Sequence, residues 1–103
     1  MDLVEEETME TAEILRSSAR IPEHVVYRTF VYETVVLNLQ TGKYHGLNRT
    51  GGRMLELLER EPTVRDAAAK IAAEFGRPVT EVETDLCEFS SDLASRGLIV
   101  LTR

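Results

Sequence analysis

The sequence is poor in the residues that usually carry chemistry. It holds one cysteine, two histidines, three prolines and no tryptophan. A lone Cys87 forms no intrachain bridge, and neither His24 nor His45 stands at ligand spacing from it or from the other, so no metal site and no disulfide framework is expected. No apolar run approaches the length that crosses a bilayer, and no secretory or lipidation signal is visible. A cytoplasmic protein is the default expectation. Gly42-Lys43 and Gly51-Gly52 lack the glycine spacing that precedes the lysine of a phosphate-binding loop, which excludes that motif. Basic charge is scarce too: 12 Lys and Arg stand against 18 Asp and Glu, a net charge of −6. The excess is concentrated in residues 1–20, which hold six acids and two bases.

What is present fits one small α+β domain, long enough to bury a core without metal or disulfide help. Residues 1–20, with Asp2, Glu5, Glu6, Glu7, Glu10 and Glu13 ahead of any base, read as a flexible acidic arm that solubilises the chain or docks a basic partner surface. The folded domain is expected over 21–103. His24 to Phe30 is rich in β-branched and aromatic residues and reads as a strand. Thr34 to Leu39 alternates in a way that buries one face, and Gln40-Thr41-Gly42 then turns the chain into a further strand, Lys43 to Leu47. From Asn48, an N-cap, the period becomes helical. Met54, Leu55 and Leu58 give one apolar face, and Glu61-Pro62 ends that helix. Thr63 caps a second helix with a stripe of Val64, Ala67, Ala68, Ile71, Ala72 and Phe75, stopped by Gly76. Thr80 and Glu83 form a capping-box pattern for a third, whose stripe is Val82, Leu86, Phe89 and Leu93 and whose end is Gly97. Leu98 to Leu101 is an apolar tail that closes the core.

Three antiparallel strands followed by three helices approximate a winged helix-turn-helix. Such a shape raises the possibility of a DNA-binding regulator, but the third helix has the wrong sign. Glu81, Asp85, Glu88 and Asp92 share one face, where a recognition helix would need cations to displace phosphate counterions. The arginines and lysines of the first two helices alternate with acids and make a mixed surface. No catalytic constellation emerges, Cys87 reads as an inert packed thiol, and no enzyme is expected. There remains the open margin of the strand Lys43 to Leu47. Its unpaired N–H and C=O groups, next to an amphipathic helix, are suited to taking up an extended peptide as an added strand. The competing expectation is that the amino-terminal arm or a second copy covers that margin. Proline at Lys43 or Tyr44 is expected to remove an edge N–H.

Several motifs then point further: Thr41-Gly42-Lys43-Tyr44, Leu47-Asn48-x-Thr50-Gly51, Val64-x-x-Ala67-Ala68, and Asp85-Leu86-x-x-Phe89-x-x-x-Leu93 with Gly97-Leu98-Ile99. Together, over Ile21 to Leu101, they resemble the PqqD-like family, also called RiPP recognition elements. The resemblance implies a protein that binds the leader segment of a ribosomally made precursor peptide and presents it to modifying enzymes. In that implied mode the leader joins the third strand and packs on the third helix. The contact surface carried over is Lys43, Tyr44, His45, Gly46 and Leu47, with Val82, Asp85, Leu86 and Phe89 of the helix, Asp85 being the candidate for a specific polar contact. No cofactor, nucleic acid or membrane is implied. A stand-alone member of a lasso-peptide cluster is expected, with a leader peptidase and a macrolactam synthetase as partners. The alternative within the family is a peptide chaperone for a radical enzyme of pyrroloquinoline quinone synthesis.

Overall fold

The computed structural model describes residues 11–103. Residues 11–16 are helical, and five strands and three further helices follow. The strands are β1 (Ser18–Arg20), β2 (Val25–Thr29), β3 (Glu33–Asn38), β4 (Tyr44–Asn48) and β5 (Val100–Thr102). The helices are α1 (Arg49–Arg60), α2 (Val64–Phe75) and α3 (Val79–Ser95). β2, β3 and β4 form an antiparallel sheet in sequence order, so β4 is an edge. β1 and β5 pair separately, with Ala19 opposite Leu101. The expected winged arrangement of a three-stranded antiparallel sheet followed by three helices is therefore the observed one.

Local chemistry explains the element boundaries. The Asn48 side chain accepts a hydrogen bond from Gly51 N at 2.8 Å, and Thr63 Oγ1 accepts one from Asp66 N at 3.1 Å, so both expected caps are made. Each satisfies an N–H that the first helical turn leaves without a partner. α3 ends in a Schellman motif: Gly97 takes φ 74°, Gly97 N donates to Ala94 O, and Leu98 N donates to Leu93 O. That turn sends Leu98 back into the core beside Leu93. The capping box expected from Thr80 and Glu83 does not form. α3 begins two residues earlier, behind Pro78 with φ −59°, and has no side-chain cap. Proline supplies a helical φ without an N–H to satisfy, which favours the earlier start.

Two core clusters result. One gathers Leu57, Leu58, Val64, Ile71, Val82 and Leu86 between the helices. The other holds Val25, Val36, Leu55, Leu93 and Leu98 between sheet and helices, and Phe89 packs against both. α1 lies close on β3, and Gly52 is the reason it can. A Cβ there would overlap the Thr34 hydroxyl and stand 2.9 Å from Thr34 Cβ. On β3 the fully buried face is Thr34, Val36 and Asn38, while Val35 and Leu37 turn to the opposite, half-open face. Phe75, expected on the buried stripe of α2, is instead 44% exposed at the last residue of the helix, on the wall of an open cleft.

The expected boundary of the acidic arm at residue 20 needs correction. Leu15 is buried in the helical core, Ser17 O accepts from Val64 N at 2.8 Å, and β1 is paired along its length. Ile14, Leu15 and Ala19 turn inward while Glu13, Arg16 and Arg20 remain exposed, so the acid count concealed an amphipathic segment. The part of the arm over 1–10 lies outside the described residues.

Candidate functional site

β4 continues directly into α1 through Asn48, and α3 passes alongside in the opposite sense. Going along α3, Asp85 and Phe89 line the groove beside Leu47 and Gly51, and Arg96 then comes abreast of His45. Between them lies an open groove of about 410 Å3, lined by Gly46, Leu47, Asn48, Met54, Asp85 and Phe89 among others. Its floor depends on a missing side chain. A Cβ at Gly51 would stand 3.6 Å from Phe89 Cε1 and 3.4 Å from Leu47 Cβ, so any larger residue would begin to fill the groove.

The register decides which backbone groups of β4 are available. Asn38 N donates to Lys43 O at 2.9 Å, and Val36 stands opposite His45 and Thr34 opposite Leu47. Because bonded and non-bonded pairs alternate along an antiparallel ladder, His45 and Leu47 direct their N–H and C=O groups to β3. Tyr44 and Gly46 direct theirs outward. No strand lies on that side of β4 among the described residues. In particular β1, formed by amino-terminal residues, pairs with β5 and not with this edge.

The side chains alternate in the same register. His45 and Leu47 are half-buried on the inner face, and Tyr44 is 74% exposed on the outer one. Lys43 precedes the strand. Its N–H donates to Thr41 Oγ1 at 3.2 Å and its carbonyl serves Asn38, so it offers no edge donor, contrary to expectation. On α3, Val82 and Leu86 are 0% exposed and fill the helical core. They have no surface to present and instead hold Asp85 and Phe89 in place. Both of the latter are half-buried and face the groove. The Asp85 carboxylate accepts from Arg77 Nη2 at 3.0 Å, an arginine that also lies 3.9 Å from Glu81. At the opposite end Arg96, paired with Asp92 at 3.1 Å, brings Nη1 to 3.5 Å from His45 Nδ1 and bridges helix to strand. Sequence reasoning missed Arg96 because the contact joins residues from opposite halves of the chain. Gly51 and Met54 as lining residues were missed for the same reason.

Among the described residues, the one thiol lies apart from the groove. Cys87 points away from it, its thiol 3.7 Å from Thr11 O, and burial pushes its pKa up to about 11. An undissociated thiol is a poor nucleophile. Among the described residues no group of His, Cys, Asp and Glu could hold a metal ion, and no helix is long and apolar enough to cross a membrane. The groove as built is a surface for backbone pairing and side-chain packing.

The profile of coenzyme PQQ synthesis protein D, PqqD, matches residues 33–99, from the start of β3 to the end of the core. Among solved structures, TbiB1 in complex with the TbiA(beta) leader peptide is 36% identical over 78% of this chain and 93% of that one, with a TM-score of 0.72. A lasso peptide synthetase B1 complexed with its leader peptide is 22% identical, with a TM-score of 0.73 over 81% of this chain and 98% of that one, a likeness of fold. No curated protein sequence matches the chain significantly.

Proposed function

The chain belongs to the PqqD family, and from that premise we propose that it binds the leader segment of a ribosomally synthesised precursor peptide in lasso-peptide biosynthesis. The leader adds as a strand to the outward margin of β4 and lays its side chains against α3. The observation that carries this reading is the outward N–H and C=O pair at each of Tyr44 and Gly46, left without a strand partner beside the groove. Backbone pairing sets the register of the peptide, and the groove selects its side chains. Leu47 and Phe89 supply the apolar contacts. Asp85 supplies a polar one, exchanging or sharing Arg77 with a basic group or an amide of the leader. His45 flanks the peptide with Arg96, whereas Val82 and Leu86 act only through the position of α3.

The role is one of binding and delivery, with the leader peptidase and the macrolactam synthetase as recipients. The acids of α3, Glu81, Glu88 and Asp92 among them, are exposed on the surface that a winged-helix regulator would press on phosphate.

The test is a titration with the TbiA(beta) leader peptide and, separately, with duplex DNA, each at two salt concentrations. Saturable peptide binding at about micromolar Kd or tighter, only weakly affected by salt, is expected. Absence of peptide binding together with DNA binding that falls steeply with salt would overturn the proposal.

A further inference from the structure

On the far side of the first turn of α1 lies a second cleft, of about 500 Å3, between the β2–β3 hairpin tip and the helices α1 and α2. Its mouth is apolar in a way the fold does not require. Phe30 is 53% exposed, Val31 74% and Phe75 44%. The floor, in contrast, is locked. Arg53 is held by Glu74 at 2.8 Å and by Glu56 at 3.5 Å, so its charge is satisfied before anything binds. Arg49, at the rim, is exposed and makes no ion pair among the described residues. Two exposed aromatic rings over a neutralised floor with a cation at the edge suit an aromatic or branched aliphatic side chain followed by a carboxylate.

The position of the cleft names its occupant. Thr50 lines both this cleft and the groove beside β4. The two are adjacent faces of one helical turn, reached from each other by passing over a single exposed residue. β4 turns into α1 at Asn48, the end of the edge nearest Thr50, and Thr50 in turn shares its cleft with Phe30 and Phe75.

Resting on the function proposed above, we infer that the cleft is a second subsite for the same leader. It takes the flank that leaves the groove at the Asn48 end, anchors an apolar side chain between Phe30 and Phe75, and pairs an acid with Arg49. Because that flank extends past the strand-pairing segment, the subsite measures leader length and discriminates leaders whose pairing segments are alike.

The experiment compares the full TbiA(beta) leader with versions shortened from each end, against the wild-type chain and the variants Phe30→Ala, Phe75→Ala and Arg49→Glu. Each variant is expected to weaken the full leader by about tenfold, the scale of one lost half-buried contact. Shortening one particular end should produce the same loss in wild type and abolish the difference between wild type and variants. Because each variant is its own reference for the shortened peptide, an effect on folding cancels. Equal affinities for the full leader across wild type and all variants would overturn the subsite and leave strand addition standing, as would a partner enzyme that loses binding to the variants while the leader does not. No leader binding to wild type would overturn both.

Discussion

Proline scanning along β4 separates the outward backbone groups from the inward ones. Tyr44 is the first residue of the strand, its N–H points away from β3, and its side chain is 74% exposed. Proline is tolerated at such a position because no ladder bond within the protein is lost. What Tyr44→Pro removes is one of the few outward donors available to a bound peptide, and the facing peptide carbonyl is left desolvated without a partner. That costs about 1 to 3 kcal/mol, which corresponds to a roughly five- to 150-fold rise in Kd. His45→Pro is the internal contrast. Its N–H faces Val36 across the ladder, so the same chemical change should lower the melting temperature. Lys43→Pro, whose N–H is bound only to Thr41 Oγ1, should do little to peptide affinity. The assay is fluorescence anisotropy of a labelled leader, with thermal unfolding followed by circular dichroism for each variant. A Tyr44→Pro protein with unchanged unfolding and unchanged affinity would refute strand addition at this edge.

Further expectations concern the groove and its support. Asp85→Ala breaks a half-exposed pair with Arg77, so stability should change by less than about 1 kcal/mol, and a loss of leader affinity measured by titration would then report a direct contact. Gly52→Ala forces a methyl into Thr34 and should cost about 1 to 3 kcal/mol, while the additional change Thr34→Ala should return part of it, read as melting temperature. Cys87, with its pKa pushed up to about 11 by burial, should resist alkylation in the native protein and react once denatured. Its folded pKa lies above the unfolded value, so its contribution to stability is present below about pH 8.5 and is lost as the pH rises towards 11, a trend that Cys87→Ala should reduce in alkaline melts.

Much of this architecture was legible in the sequence because local rules and tertiary packing agree. Asn48 and Thr63 cap the helices they were expected to cap, Gly76 and Gly97 stop theirs, and the sheet follows sequence order. The exceptions are places where a long-range partner decided the outcome. Residues 11–20 fold because Val64, Pro62 and β5 receive them, which a count of acids in that stretch does not register. Thr80 yields to Pro78 as the start of α3. At the groove, the strand and helix were identifiable from periodicity, and Asp85 and Phe89 do line it. Periodicity put Val82, Leu86 and Phe89 alike on the core stripe and could not show that Phe89 also reaches the groove while the other two lie wholly inside, nor which of Tyr44 and His45 has its amide turned outward. The first is a matter of angle around the helix by a few tens of degrees, the second of register.

The β1–β5 pair has a consequence for folding. It joins residues 18–20 to residues 100–102, almost the full span of the chain. Closing so large a loop is entropically costly and comes last. During folding, the helices and the three-stranded sheet can therefore assemble first while the segment around Ala19 waits, uncovered, for β5 to dock. A chain terminated before residue 98 would display the apolar surface that Leu98, Ile99 and Leu101 seal, and should attract chaperones.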